Sequence, residues 1–338
     1  MACIRYGETI TAKIQKTCDS DVEQEVKTDR KAPESFSPEL TTESSYRFRC
    51  PGPGEFQCDS TGLVFVMAQE AELLYRTVPW EESLLQSHGK KPAGPLFDVK
   101  SSDEAAVCQL HLPHSETEEV LLLDGLLSVV HITDEGLSIL EPLEVTRTHV
   151  VVKVPHLSLF GLVWNIIKRV LLLRVEGKIL VFLRPPVSEE QTLDVHLLQK
   201  NVPKKEVADQ HKPAVNITIS TDCELELYKG YSVHCEPEGF YIQPKSKRFV
   251  SSFGPDYDPT FQVSLTTSTK RVDLKLKDLG GNEVWSYRVS LEARTKPKND
   301  GAREVVDAVR NKGAAASRVL INALRELDPY LYSYLNLS

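Results

Sequence analysis

From Tyr46 onward, short apolar runs alternate with turn residues at a spacing typical of sandwich strands. Such runs, rich in branched and aromatic residues, favour an antiparallel β-sandwich fold. Asp278–Asn282 separates two of them and contains consecutive glycines, which predicts a hairpin turn. The runs are Tyr46–Arg49, Gly62–Met67, Ala106–Leu112, Leu121–Val130, His149–Val154, Lys178–Leu183, Ala214–Ser220, Gly239–Gln243, Phe261–Leu265, Val272–Leu276 and Glu283–Leu291.

The two ends of the chain depart from this strand pattern. Residues 1–44 are polar and lack periodic hydrophobic positions, which predicts a disordered leader. Beyond Leu291 a polar, proline-containing linker is followed by a change of hydrophobic period from two to 3.6, which indicates helices. Residues 302–338 are therefore expected to form short helices, in a segment too small to fold reliably alone.

Composition excludes several classes of function. The 338 residues are 41% hydrophobic and 26% charged with a net charge of -8, which argues against a nucleic-acid or anionic-membrane binder. The N-terminus lacks the apolar stretch of a signal peptide, and Lys168 and Arg169 interrupt the longest apolar run. Seven cysteines without a C-x-x-C pair indicate reduced cytosolic thiols. We find no phosphate-loop, metal or cofactor motif, so no cofactor is expected.

Candidate chemistry is concentrated in Val154–Gly161, where a serine, Ser158, follows the large apolar Leu157. A serine hydroxyl needs a nearby base to act as a nucleophile. A histidine, His131, lies at the end of an earlier apolar run. Taken alone, such residues are more often an ordinary turn serine and a strand-edge histidine.

Three segments give these residues a family context. Gly94–Val99, Leu110–His114 and the H-x-x-x-E-G stretch His131–Gly136, followed by the serine, resemble the function-to-find domain, FIIND. That domain pairs a ZU-type sandwich with a UPA sandwich in inflammasome sensors, and the resemblance covers about residues 45–295. Asp328–Leu335 resembles the last helix of a caspase recruitment domain, CARD, of which the second half is expected here.

The resemblance implies a mainly β chain: a leader (1–44), a ZU-type sandwich (45–157), a UPA sandwich (158–295) and partial CARD helices (302–338). It also implies an innate-immune, inflammasome or apoptosis-regulating module in the cytosol. Implied partners are its own two fragments, death-fold (CARD) adaptors, an inflammatory caspase and a dipeptidyl peptidase that binds the UPA region. Nucleic acid and membrane are not expected partners.

The resemblance further implies one self-cleavage, between Leu157 and Ser158, and no multi-turnover activity. Ser158 would be the nucleophile and His131 the base. Glu141 is the carboxylate expected to orient His131 or act on water, and the alternatives are Glu144 and Glu135. The family members that cleave well carry phenylalanine at the position of Leu157. A non-cleaving scaffold of the same architecture, akin to netrin receptors and ankyrins, is the alternative function.

Overall fold

The computed structural model describes residues 32–41, 45–121, 125–169 and 173–291. These residues are mostly β, in several antiparallel sheets, as predicted. The predicted helical tail, 302–338, lies outside the described residues. Of the first compact unit, Met1–Pro33, only the last two residues are described, and every element named below belongs to the second unit.

The first half of the described chain forms a sandwich of two sheets with short helices beside them. Its strands are β1 (Glu34–Phe36), β2 (Glu39–Leu40), β3 (Tyr46–Cys50), β4 (Gly54–Cys58), β5 (Val64–Met67), β6 (Ala71–Val78), β7 (Lys90–Ser101), β8 (Val107–Pro113), β9 (Leu127–Thr133), β10 (Gly136–Leu140), β11 (Glu144–Val145), β12 (His149–Lys153) and β13 (Leu159–Asn165). Its helices are α1 (Glu82–Gln86), a 3₁₀ turn (Glu104–Ala106), α2 (Glu118–Leu121) and α3 (Ile166–Arg169). One sheet has the order β1-β4-β5-β8-β12-β11 and the other β10-β9-β13-β7-β6-β3-β2.

The second half of the described chain also forms a sandwich of two sheets. Its elements are β14 (Arg174–Leu183), β15 (Glu190–Gln199), α4 (Lys204–Gln210), β16 (Val215–Ile217), β17 (Asp222–Glu226), β18 (Gly230–Glu236), β19 (Tyr241–Gln243), β20 (Lys247–Arg248), β21 (Phe261–Thr266), β22 (Arg271–Asp278) and β23 (Glu283–Ser290). One sheet has the order β16-β14-β15-β21-β19, with β17 also paired to β14, and the other has the order β20-β18-β22-β23.

Alternation of burial explains why these segments form strands. Along β22, Val272, Leu274 and Leu276 are buried while the residues between them are partly exposed. Successive side chains of a strand point to opposite faces, so this pattern buries one face against the facing sheet. The predicted hairpin between β22 and β23 is present, and Gly281 there has φ +84°, a value that favours glycine.

The predicted leader, 1–44, contains two short strands that the polar composition did not indicate. Strand β1 pairs in parallel with β4, and β2 pairs with β3. Phe36 at the end of β1 is buried, and its ring stacks on Phe48 at a centroid distance of 3.7 Å. One buried aromatic side chain is enough to hold a short polar segment against the sandwich, because it removes a large apolar area from water.

Strand β13 occupies the middle of the second sheet of the first sandwich, paired with β7 on one side and β9 on the other. Sequence analysis divided the two sandwiches after Leu157, but the structure keeps β13 with the first sandwich and begins the second at Arg174. The boundary at Leu157 therefore marks the predicted cut. It does not mark the end of the first sandwich.

A buried ion pair lies at the junction of the two sandwiches. Arg169 of α3 and Glu116, which follows β8, approach to 2.6 Å, and their side chains are only 6% and 1% exposed. Trp164 donates its indole N–H to the Glu116 carboxylate, and the Arg169 guanidinium lies 4.4 Å from the Trp164 ring centroid. An ion pair, a hydrogen bond and a cation–π contact thus join the three side chains inside the protein, and Arg169 Nε has no hydrogen-bond partner within the described residues.

Two further polar contacts join the sandwiches. Asn201, after β15, accepts a hydrogen bond from Ser115 at 2.7 Å and donates to the carbonyls of Ala93 and Pro113. Glu206 of α4 accepts a hydrogen bond from Thr77 at 2.7 Å. Because these groups are buried or partly buried, leaving any one of them unpaired would cost free energy.

Candidate functional site

The turn at residues 154–158 connects the two sheets of the first sandwich, running from the end of β12 to the start of β13. The Val154 N–H donates to the Cys108 carbonyl at 3.1 Å, and the Ser158 carbonyl accepts from the Val99 N–H at 2.9 Å. Leu157 and Ser158 are half-buried, and Leu157 packs against the core. Both ends of the turn are therefore anchored by backbone hydrogen bonds.

The side chains of His131 and Ser158 lie on the same face of one sheet, the face that packs against the core. His131 lies directly opposite Phe160 in the register of β9 and β13, and their rings stack at 4.6 Å. Ser158 precedes Phe160 by two residues and lies opposite the buried Val99, so alternation places its side chain on the face of His131. The structure thus brings the two predicted residues to one end of one sheet face.

The two reactive atoms are buried and unpaired. Neither Ser158 Oγ nor His131 Nε2 has a hydrogen-bond partner within the described residues, so they are not bonded to each other. Unpaired buried polar atoms are rare because each costs about 1–3 kcal/mol. Catalytic hydrogen bonds are often long or poorly aligned before reaction, which is consistent with a site that tightens as the reaction proceeds.

The environment of His131 favours the neutral imidazole. Burial lowers its pKa from 6.5, the proximity of His156 lowers it further, and a hydrogen bond with the His156 backbone acts in the opposite direction. A neutral imidazole can accept a proton, which is the role expected of a base. His131 is therefore held in the protonation state that the predicted chemistry requires.

His156 is a residue of this site that was not among the predicted site residues. Its exposed ring meets the His131 ring edge-on, with centroids 4.4 Å apart. The contact exists because the turn folds back over the end of β9. Its position two residues before the predicted nucleophile was the signal available in the sequence.

The structure does not bring Glu141 to His131. In the β9–β10 hairpin Ser138 lies opposite His131 and Leu140 opposite Val129, so Glu141 follows at the end of β9 that is remote from Ser158. There it raises the pKa of Lys90, at the start of β7, against the stronger lowering effect of burial. The assignment of Glu141 as the partner of His131 is corrected by the hairpin register.

The two alternative carboxylates occupy different places. Glu144 lies in β11, an exposed strand of the other sheet, where it pairs with Val151. Glu135 lies in the turn between β9 and β10, at the same end of the sheet as Ser158, and is exposed. Of the three predicted carboxylates, Glu135 is thus the one whose position suits the site.

Other kinds of site are not evident in the described part of the chain. Within it, no group of three or more His, Cys, Asp or Glu side chains is arranged to hold a metal ion. Its cysteines, Cys50, Cys58, Cys108, Cys223 and Cys235, are free thiols. No helix among the described residues is long and apolar enough to cross a membrane.

Three family models match the chain in succession. The model "Function to find", FIIND, matches residues 39–170, the UPA-FIIND domain matches 175–289, and the caspase recruitment domain matches 289–338. The first two matches meet between 170 and 175, which is also where the sheets divide.

Several curated proteins are similar in sequence to this chain. Caspase recruitment domain-containing protein 8 of Homo sapiens is 23% identical over 404 residues, covering 98% of this chain and 74% of that protein. The protein of the same name from Pongo abelii is 23% identical, covering 98% of this chain and 93% of that protein. NACHT, LRR and PYD domains-containing protein 1a of Mus musculus is 30% identical over 131 residues, which are 37% of this chain and 11% of that protein.

Proposed function

The chain belongs to the family in which FIIND, UPA-FIIND and caspase recruitment domains follow one another, and from this premise we propose that it cleaves its own backbone between Leu157 and Ser158. This architecture is that of an inflammasome-type signalling module. The observation that carries the proposal is that Ser158 and a neutral, buried His131 lie at the same end of one sheet face.

The chemistry is an N-to-O acyl shift followed by hydrolysis. Ser158 Oγ attacks the Leu157 carbonyl carbon while His131 takes the hydroxyl proton. The C–N bond then breaks, the departing nitrogen receives that proton, and Leu157 is left as an ester on Ser158. Water opens the ester, which restores the hydroxyl and leaves a carboxylate on Leu157. Glu135 is the carboxylate proposed to orient His131 or the attacking water.

The cut would leave a noncovalent complex of residues 1–157 and 158–338. Because β13 belongs to the second fragment but pairs with β7 and β9 of the first, the cut removes no ladder of the sheet. The first fragment then restrains the second until it is degraded, beginning at its leader. A protease that moves along the chain would stop at the missing bond and free 158–338.

The caspase recruitment domain match implies death-fold partners such as caspases or adaptors. We further propose a cytosolic location, an inflammatory caspase as the downstream partner, a role in apoptosis regulation and a dipeptidyl peptidase as a binder of the second sandwich. The domain limits that we propose for signalling follow the cut: a leader (1–44), a restraining part (45–157), a UPA part (158–295) and a helical tail (302–338).

A non-cleaving scaffold of the same architecture is the second candidate. The observation that favours it is the missing hydrogen bond between Ser158 Oγ and His131 Nε2 within the described residues. It differs from the first candidate only in chemistry, since the fold and the partners are shared.

Denaturing electrophoresis of freshly synthesised protein decides between the two. Self-cleavage predicts two bands and a new N-terminus at Ser158, whereas Ser158→Ala should give one full-length band because alanine carries no nucleophile. Ser232→Ala, which removes a half-buried hydroxyl on β18 of the second sandwich, is the matched control and should cut normally. A persistent full-length band in the unmodified protein would establish the scaffold.

A further inference from the structure

A cavity of about 270 Å³ lies at the junction of the two sandwiches. It is lined by Lys91, Trp164, Ile166, Arg169, Leu173 and Tyr228. A second chamber of about 300 Å³ shares Lys91, Trp164 and Tyr228 with the first and adds Trp80 and Phe253 among its walls. Concave sites lined by aromatic side chains with a few polar groups are where small molecules bind.

The indole N–H and the charge of the inner wall are already engaged, and Arg169 Nε is a buried atom without a hydrogen-bond partner within the described residues. Trp164 donates its N–H to Glu116, and the charge of Arg169 is neutralised by the same carboxylate at 2.6 Å. The guanidinium lies over the Trp164 ring. A ligand therefore meets an apolar, aromatic surface on this side, with neither of these groups free to bind a charge.

Lys91 adds a positive charge to the otherwise aromatic lining of the cavity. Its amine lies 3.4 Å from the Tyr228 hydroxyl and 5.7 Å from the centroid of that ring. Within the described residues, the lining of the first chamber contains no carboxylate to balance this cation, and the carboxylate that lines the second chamber, Glu82, is exposed. A cation at the mouth of an aromatic cavity is complementary to a ligand that combines an aromatic ring with a negative charge.

Tyr228 is held over the cavity by an uncommon backbone. Its φ of +66° is rare for a bulky residue, and its N–H donates to the Phe249 carbonyl at 2.7 Å. Such conformations persist only where the surrounding structure imposes them, often beside ligands. In the second chamber, Ser251 accepts a hydrogen bond from Gln199, so its own hydroxyl proton is available to an anion.

We propose that this junction cavity binds a small aromatic anion, with its ring against Trp164 and Tyr228 and its charge at Lys91. The two sides of the cavity belong to different fragments, since Lys91 precedes the proposed cut and Trp164 and Tyr228 follow it. A ligand that binds the joined fragments and neither separate one stabilises the joined state by mass action. This consequence rests on the proposed cleavage, whereas binding itself does not.

Binding is tested on the full-length Ser158→Ala chain. This variant carries no nucleophile at the cut, so the result does not depend on cleavage. Equilibrium dialysis compares 2-naphthoate, 2-naphthalenemethanol and 2-(aminomethyl)naphthalene, which share a ring and differ in charge. We expect the anion to bind about tenfold more tightly than the amine, as a charge-assisted contact implies. Lys91→Glu should lower naphthoate affinity by at least about tenfold.

Lys100→Glu is the matched control, because Lys100 is an exposed lysine of the same strand, β7. Its naphthoate affinity should equal that of the parent chain. The proposal is overturned if the three probes bind equally, if none binds, or if Lys91→Glu and Lys100→Glu behave alike. Because Lys91 is exposed, neither substitution should disturb the fold, which near-ultraviolet circular dichroism checks.

The consequence for retention is tested on self-cut protein. Naphthoate should slow separation of the fragments in mild urea in the parent chain and have no effect on Lys91→Glu. If naphthoate binds at Lys91 but leaves the rate unchanged, the regulatory consequence fails. If no cut forms at all, the proposed function fails while the binding result stands.

Discussion

The protonation of His131 sets the pH range in which Ser158 could be activated. Its lowered pKa keeps the imidazole neutral, and able to accept a proton, to a lower pH than an ordinary histidine with a pKa of 6.5. The cleavage rate should therefore be constant from about pH 8 to pH 6.5 and fall only below that range. The measurement is the rate at which the 158–338 band forms across pH 5–8.

His156 makes this pH prediction specific. Removing its ring in His156→Ala takes away both a cause of the lowering and part of the burial, so the His131 pKa should rise. The fall in rate should then begin at a higher pH than in the parent chain. His234→Ala, at an exposed position of β18, is the control and should leave the profile unchanged.

Unchanged cleavage in His131→Ala would remove His131 from the mechanism.

Glu206 is a half-buried carboxylate whose pKa is raised, chiefly by desolvation, although Thr77 and Tyr46 donate hydrogen bonds to it. A raised folded-state pKa means that the folded protein takes up the proton more readily than the unfolded chain. The resulting stability is present at low pH and is lost as pH rises through that range.

Glu206→Gln removes this charge and keeps an oxygen that Thr77 can donate to. We expect the Tm to increase at pH 8 and to change little at pH 5, as differential scanning calorimetry at the two values would show. The control Glu104→Gln, at an exposed position, should leave Tm unchanged at both. A Tm that falls equally at both pH values would show that the carboxylate is needed in its ionised form.

At the scale of elements, the sequence could predict which histidine and serine belong to the candidate site. It could not predict which carboxylate lies near them, because that depends on the register of the β9–β10 hairpin. The order and spacing of His131 and Ser158 in the family resemblance predicted them as site residues, and strands β9 and β13 place them on one sheet face. Glu141, which the family resemblance implied, lies away from His131 because the β9–β10 hairpin places it beyond Leu140, towards Ser128.

The order of the strands in each sheet could not be predicted from the sequence either. The run at Leu159 is apolar because β13 is covered on both faces, and that pattern is the same whichever sandwich it joins. The pairing of β13 with β7 on one side and β9 on the other joins residues far apart in the chain, which local periodicity does not encode. The contribution of Phe36 was not predicted either, because the polar composition of residues 1–44 indicated disorder in spite of this aromatic side chain.

Gly161 tests how β13 is retained after the cut. A β-carbon at this glycine would overlap the Trp80 ring, which is fixed by donation from its indole N–H to the Gly94 carbonyl at 2.9 Å. Gly161→Ala should destabilise the strand by about 1–3 kcal/mol, the usual cost of overpacking. The fragments of the cut protein should then separate at a lower urea concentration in gel filtration.

Gly52→Ala is the control for this substitution, because a β-carbon at Gly52 meets nothing within 4 Å. The same pair of variants in the uncut Ser158→Ala background should differ in unfolding midpoint in the same order. If Gly161→Ala left both the separation and the midpoint unchanged, Trp80 would have to move freely, and close packing around β13 would not be what retains the fragment.

At the scale of the whole molecule, the two fragments share one continuous core as well as the β13 ladder. The buried cluster extends from Phe65 in the first sandwich to Leu274 in the second. Most of the association is therefore hydrophobic and nondirectional. The buried ion pair between Glu116, before the cut, and Arg169, after it, adds a contact that requires both partners.

Breaking that pair should be costly, because a buried charge is left without compensation. Arg169→Met and Glu116→Gln should each weaken fragment retention by about 3 kcal/mol, the usual cost of removing one partner of a buried pair. The double variant should lose less than the sum of the two. Arg147→Met, which breaks an exposed pair with Glu118, should have little effect.

The pH dependence of Arg169→Met distinguishes a lost charge partner from lost packing. Burial already raises the pKa of Glu116, and Arg169 opposes that rise, so removing Arg169 should raise the pKa further. Because a proton then relieves the unpaired charge, retention of the cut fragments should be weaker at pH 8 than at pH 5.5. Gel filtration of the cut protein in graded urea at these two values measures this difference, and Glu116→Gln/Arg169→Met should abolish it. Equal losses at both pH values would mean that Arg169 acts through its packing on Trp164 alone.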